Sequence, residues 1–367
     1  MKVFIPVISF GRSGGFRVLS ELASNLVSKG HEVIFISTTT NGVVSPYYPT
    51  SAQVSYVNNQ GIIIDKNHQT SQPGFNNKLS LLKRLVQLNA LRLAVNRYTS
   101  NRDTLLATYS LTAFVVYLSK SNPNKYYYVQ AYEPEFFSRS LKGKLSSKLI
   151  SFSYRLNLTR IVNSPIYYNF KNLKAQHLVF PGIDFRIFNS VGKNYKTNFD
   201  NEPIVLGCVG RVEEVKGTIY VIRAFDLLRK MGINCELHMA VFGNEKMIDN
   251  TIKATYPKND LELAEFYRNI DILVAPGIAQ FGAVHYPVIE AMACGTGVIT
   301  TFYYPAHKDN AWLCAPESEI SIVDQVKDII SNTENFREKC IRANNDVQHL
   351  SWVNVTDNLI TILENKC

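Results

Sequence analysis

The opening of this 367-residue chain runs apolar segment, glycine-rich turn, one-sided helix, glycine, apolar segment. These are residues 3–8, 9–15, 16–29, Gly30 and 33–36. Val18, Leu19, Leu22, Ala23, Leu26 and Val27 recur at helical spacing, and Gly30 supplies the left-handed cap that ends such a helix. A strand, a helix and a second strand in so short a span join parallel neighbours through a right-handed crossover. A chain that begins this way is committed to a parallel sheet covered by helices. Further strands are predicted at 105–109 and 126–130.

The pattern restarts at Pro203, with a strand over 204–209, a loop over 210–216 and a helix over 217–231. Strands over 236–242, 272–275 and 298–301 and a helix over 287–294 follow. The polar stretch 191–203, flanked by glycine and proline, reads as the linker. The expected fold class is α/β, with two doubly wound Rossmann-like domains at 1–190 and 203–350 facing a central cleft at their carboxyl strand edges. Residues 351–367 form a closing helix.

Composition narrows the partners. Residues 1–199 hold 24 Lys/Arg against 7 Asp/Glu, a net +17, whereas 200–367 hold 15 against 23, a net −8. A basic half favours a polyanionic partner. No zinc-finger, RRM or KH pattern accompanies the charge, so nucleic acid is set aside. An anionic membrane surface fits better, and a solvated basic surface is the plain alternative. Residues 78–92 read as an amphipathic basic helix with Leu81, Leu82, Leu85, Leu88 and Leu91 on its apolar side. The six cysteines have no metal-ligand spacing, so reduced thiols and a cytoplasmic protein are expected. The apolar run at 2–9 is too short for a signal-peptide core, and no segment is long enough to span a bilayer.

Four loops carry residues suited to chemistry. Gly11, Gly14 and Gly15 precede a helix amino terminus, where bare amides and the helix dipole attract an anion. Their spacing is not the dinucleotide fingerprint, and no acidic residue ends the second strand, which disfavours a nicotinamide enzyme. Gly210, Arg211, Lys216 and Gly217 place two cations in a loop that opens a helix, an arrangement suited to a diphosphate or to solvent. Glu290 sits in the first turn of an apolar helix after a loop holding Gly282, Ala283, His285 and Tyr286. A carboxylate there needs partners, either a ligand's hydroxyls or nearby amides. Tyr132 and Glu133 follow the strand at 126–130, and Pro134 disfavours helix at Glu133, so that carboxylate is expected to face the cleft or solvent.

The motif Glu290-Ala-Met-Ala-Cys-Gly295, with Gly207-Cys-Val-Gly-Arg211 and Lys216-Gly217, resembles the retaining glycosyltransferases of the GT-B fold, family 4 type. The resemblance covers nearly the whole chain and implies a metal-independent transferase with no bound cofactor, which uses a nucleotide-diphosphate sugar as co-substrate. No Asp-x-Asp occurs. By that likeness, Arg211 and Lys216 stabilise the leaving diphosphate and Glu290 holds the ribose. Gly14, Gly15, Gly210, Gly282, Ala283, His285 and Tyr286 line the donor, while Gly14, Tyr132 and Glu133 meet the acceptor. The closing helix at 351–367 then packs back on the first domain. The family pattern has a second glutamate where this chain has Gly282. Val129-Gln-Ala-Tyr-Glu-Pro-Glu-Phe136 and His285-Tyr-Pro287 are similar to bacterial rhamnosyltransferases that build surface polysaccharides, which implies a deoxysugar such as rhamnose carried on dTDP. The acceptor implied is a glycan or lipid-linked glycan at the inner face of the membrane. The rival readings are a degenerate GT-B protein serving as a binding subunit and a basic nucleic-acid-binding protein.

Overall fold

The computed structural model describes residues 1–11, 13–39, 45–64, 81–120, 124–136, 141–196, 198–199, 202–210, 213–241 and 250–365. The chain forms two compact units, Met1–Gly182 with Trp352–Cys367, and Ile183–Ser351.

The first unit contains β1 (Lys2–Val7), α1 (Gly14–Ser28), β2 (Glu32–Thr38), β3 (Gln53–Val57), β4 (Ile63–Ile64), α2 (Leu81–Tyr98) and β5 (Thr104–Ala107). These are followed by α3 (Ser110–Tyr117), β6 (Lys125–Val129), α4 (Leu141–Ser153), β7 (Thr159–Val162) and β8 (His177–Leu178). The strand order is β4-β3-β2-β1-β5-β6-β7-β8, parallel except for β3–β4. Chain order reverses between β1 and β5, which opens a crevice at the carboxyl ends of those two strands. Phe4, Ile34, Leu105, Tyr127 and Val129 of the sheet bury against Leu91, Ala94, Val95, Ala113 and Val116 of α2 and α3.

The second unit contains β9 (Ile204–Gly210), α5 (Thr218–Lys230), β10 (Cys235–Val241), β11 (Ile252–Thr255), α6 (Asp260–Asn269) and β12 (Ile272–Ala275). It continues with α7 (Tyr286–Ala293), β13 (Gly297–Thr300), β14 (Trp312–Leu313), α8 (Glu319–Ser331) and α9 (Thr333–Asp346). Its strands pair β11-β10-β9-β12-β13-β14, all parallel, and the reversal lies between β9 and β12. The core there joins Ile204, Leu206, Val221 and Phe225 to Trp312 and Phe336.

The last helix, α10 (Trp352–Glu364), is part of the first unit. Lys29 Nζ, just after α1, lies 2.6 Å from Asp357, and Asn358 Nδ2 donates to the Leu178 carbonyl at 2.8 Å. The Trp352 ring covers Gly182, where an added Cβ would stand 2.4 Å from it.

Two expectations are corrected here. The break between units falls at Gly182/Ile183, ahead of the polar stretch read as a linker. That stretch is pinned to the second unit: Lys193 Nζ donates to the carbonyls of Arg268 and Ile270, and Lys196 Nζ lies 2.8 Å from Asp271. The leucine stripe of α2 does not all face the core either. Leu91 is buried with Gln87, Ala90, Ala94 and Val95, because small residues let the helix approach the sheet closely, but Leu82 and Leu85 are left in solvent. Among the described residues no helix is long and apolar enough to cross a membrane.

Candidate functional site

In the first unit the crevice between β1 and β5 holds a cavity of about 610 Å³. Ile8 and Ser9 after β1, Gly15 on α1, Arg84 and Gln87 on α2, Thr108 and Tyr109 after β5, and Gln130 and Glu133 after β6 contribute to its wall. Helix α1 starts at Gly14, so the amides of its first turn stand at this edge. Gly15 stands close to Gln130, whose Oε1 would lie 3.3 Å from a Cβ added there.

Glu133 reaches the cavity wall, and its carboxylate is also bonded to the protein. Its oxygens accept from the Ser110 amide at 3.0 Å, the Ser110 hydroxyl at 2.6 Å and the Tyr127 hydroxyl at 3.2 Å. The carboxylate thereby serves the amino terminus of α3, a favourable place for negative charge. A 3-10 turn over Glu133–Phe136 forms in spite of Pro134, which occupies its second position, where no internal N–H bond is lost. Tyr132 precedes it, packed among aromatic rings. Its ring stacks on Phe170 at 4.1 Å and on Tyr154 at 5.7 Å, and packing covers its faces.

Burial raises the Glu133 pKa above its ordinary 4.5, outweighing the Ser110 and Tyr127 hydrogen bonds, which lower it. A carboxyl raised on folding contributes stability below its unfolded pKa, and that contribution is lost as pH rises through the folded value. Relative to the wild type, Glu133→Gln should therefore gain stability between about pH 4 and pH 7. Urea unfolding at both ends checks this, and a relative loss would show that the hydrogen bonds dominate.

In the second unit two loops meet at the β9–β12 reversal. After β9 a 3-10 turn over Glu214–Lys216 leads to Gly217, which opens α5. Gly217 has φ +71°, a left-handed conformation, and an added Cβ would fall 2.3 Å from the Pro276 carbonyl oxygen. The Ile278 amide donates to the Val215 carbonyl at 3.0 Å, so the Lys216 turn is clipped to the segment after β12. Lys216 is half-buried. Gly210 ends β9 where a Cβ would lie 2.6 Å from Met239 Sδ. Arg211 lies outside the described residues.

The loop ahead of α7 is shaped by its own backbone. Gly282 has φ +86°, and its amide donates to the Phe302 carbonyl. Tyr304 N–H donates to the Ala283 carbonyl at 3.0 Å, and the His285 ring stacks on Tyr303 at 4.6 Å. A left-handed backbone accounts for a glycine at 282 directly. Tyr286 and Pro287 form the first turn of α7. That places Glu290 in the second turn rather than the first, and its side chain turns inward. It is 2% exposed and accepts from the Tyr267 hydroxyl of α6 at 3.1 Å.

Sequence reasoning brought the Lys216 turn and the 282–286 loop to one strand edge, but missed Arg84, Gln87 and Gln130. Gln87 had a visible sign, a long polar side chain inside the leucine-rich run of α2. Among the described residues there is no cluster of three or more His, Cys, Asp or Glu placed to hold a metal ion.

Residues 203–332 match the family model described as glycosyl transferases group 1. The D-inositol 3-phosphate glycosyltransferase of Paenarthrobacter aurescens is 26% identical over 141 residues, 33% of this chain and 33% of that protein. The match thus spans about a third of the length of the curated relatives. Sucrose-phosphate synthase from Thermosynechococcus elongatus superposes with a TM-score of 0.75 at 15% identity, covering 99% of this chain and 98% of that one. Anabaena Alr3699/HepE, solved in complex with UDP and glucose, gives 0.69 at 13% identity with both chains covered in full. At such identities the likeness is one of fold: two α/β Rossmann-like domains of the GT-B type.

Proposed function

We propose, from a GT-B-type fold whose second unit matches the glycosyl transferases group 1 model, that this chain transfers a sugar from a nucleotide diphosphate. The observation that carries this reading is the Lys216 turn clipped at the β9–β12 reversal, beside the amino terminus of α5. A diphosphate leaving group gains negative charge as the sugar departs. A lysine and a helix amino terminus held in place favour that charge at no reorganisation cost. In this reading Lys216, with Arg211, stabilises the diphosphate. Gly210, Gly282, Ala283, His285 and Tyr286 border the donor, and the buried Glu290 sets the position of α7 or meets the ribose. Retention follows if the donor phosphate takes the proton of the attacking acceptor hydroxyl on the same face of the sugar. The protein then supplies position and charge rather than a nucleophile.

The acceptor in this proposal is a glycan or lipid-linked glycan that enters the cavity of the first unit, bordered by Gly15 and Glu133, and meets Gly14 and Tyr132 beside it. A membrane partner would meet the basic first half, which places the enzyme peripherally on the inner face of the membrane. Gly282 offers no carboxylate to sugar hydroxyls, so dTDP-rhamnose, a donor with one hydroxyl fewer, is the first to assay. Transfer or hydrolysis measured over a panel of nucleotide sugars tests the proposal.

A further inference from the structure

Helices α2, α3 and α4 lie side by side on the first unit's sheet, and the outer two present apolar side chains to solvent. On α4, Leu145 is 72%, Leu149 53% and Phe152 53% exposed. Their spacing sets them on a single stripe of the helix. On α2, Leu82 is 71% and Leu85 55% exposed. Isolated exposed leucines are ordinary, but apolar groups exposed on two helices of one layer are not.

The charge around these stripes has one sign. Lys144 and Lys148 each precede a stripe residue on α4, and Lys83 and Arg84 separate Leu82 from Leu85 on α2. Neither α2 nor α4 contains an aspartate or glutamate, while α2 carries four Lys/Arg and α4 three; α3 is uncharged. Apolar side chains flanked by cations match the boundary between acyl chains and anionic headgroups.

Position adds a reason for the match. Helices α2 and α4 each precede a parallel strand, so their amino-terminal turns stand at the carboxyl edge of the sheet. Leu82, Leu85 and Leu145 lie in the first two turns of these helices. The cavity opens at the same edge, and Arg84 belongs both to its wall and to the exposed face of α2.

We infer that the α2/α4 face docks on an anionic lipid bilayer, with Leu145, Leu149, Leu82 and Leu85 entering the headgroup boundary. This specifies the membrane contact of the proposed function and rests on that proposal only in making the cavity's ligand lipid-linked. An acceptor with its lipid in the bilayer would then reach the cavity without leaving the membrane surface.

Flotation of the full chain with phosphatidylcholine vesicles, with and without 30 mol% phosphatidylglycerol (about one anionic lipid in three), tests the inference. Binding is expected only to the anionic vesicles. Lys144→Ser with Lys148→Ser should weaken it about 30-fold, and Leu145→Ser with Leu149→Ser at least about 10-fold. Exchanging Lys253 and Lys258 of the second unit for serine should leave it unchanged. All of these substitutions are on solvent-facing positions, and circular dichroism checks that the variants fold. Binding is read without nucleotide sugar, so the result is independent of whether transfer occurs. Equal binding by wild type and α4 variants, or no binding by the wild type, would overturn the inference. So would a concentration-dependent dimer that the leucine variant dissociates, since a second copy would then be what covers the face.

Discussion

Lys216→Ala should lower turnover of the nucleotide-sugar donor about 100-fold while changing the melting temperature little. Lysine at this position ends a 3-10 turn, and its neighbour Gly217 begins α5, so the cation and the helix amides occupy one corner of the site. Removing the ammonium takes away charge stabilisation that is needed most as the diphosphate departs, so the loss should appear in kcat more than in KM. Gly217→Ala is the informative companion. It keeps Lys216 but forces a Cβ to within 2.3 Å of the Pro276 carbonyl, on a backbone at φ +71°. The strain of about 1–2 kcal/mol from the left-handed conformation, added to that clash, must displace the turn. Turnover should fall as far as in Lys216→Ala, but now with a lower melting temperature. If Lys216→Ala keeps wild-type turnover, the ammonium has no part in the reaction.

The largest effect on stability should come from Asp271, far from the donor loops in role. Its Oδ2 accepts from Lys196 Nζ and from the Val205 amide, each at 2.8 Å, and it is 6% exposed. Asp271→Ala leaves a lysine and a backbone amide without their shared acceptor at the start of β9 and β12. Breaking a buried pair from one side costs about 3–5 kcal/mol, which for a unit of this size lowers the melting temperature by roughly 10 °C. Lys196→Met combined with Asp271→Leu should recover part of that loss, because neither charge is then stranded. A single Asp271→Ala variant with unchanged melting temperature would mean that the bridge contributes nothing. The same pair also explains why 191–196 does not behave as a free tether.

The architecture was legible where hydrophobic period and glycine punctuation coincide. β1, α1, β2, β9 and α5 were placed within a few residues, because each has a capping or turn glycine and a clean apolar face. Short or edge strands, such as β4, β8 and β14 at two residues each, leave no period to read. The strand expected over 105–109 ends at Ala107, and α3 was not anticipated because its short, mostly apolar sequence gives no one-sided helical period. The linker was misplaced because composition reports polarity and not partners: Lys193 and Lys196 are held by groups some seventy-five residues away.

At the site, the sequence could name residue types but not their directions. Glu290 was found, whereas its inward turn toward Tyr267 depends on where α6 packs. Gly282 looked like a lost carboxylate and is a position whose backbone is left-handed. Glu133 looked free behind Pro134 and is bound to the first amide of α3. For the two glutamates the cause is the same: the side chain's partner comes from an element distant in sequence.

The most direct test of glycosyl transfer is the purified full chain incubated with a panel of nucleotide sugars, dTDP-rhamnose, UDP-, GDP- and ADP-glucose among them, with release of nucleoside diphosphate as the readout. One donor should be turned over, and the same donor's release should fall about 100-fold in Lys216→Ala. No release from any donor, with none of the free nucleoside diphosphates raising the melting temperature at millimolar concentration, would contradict the account.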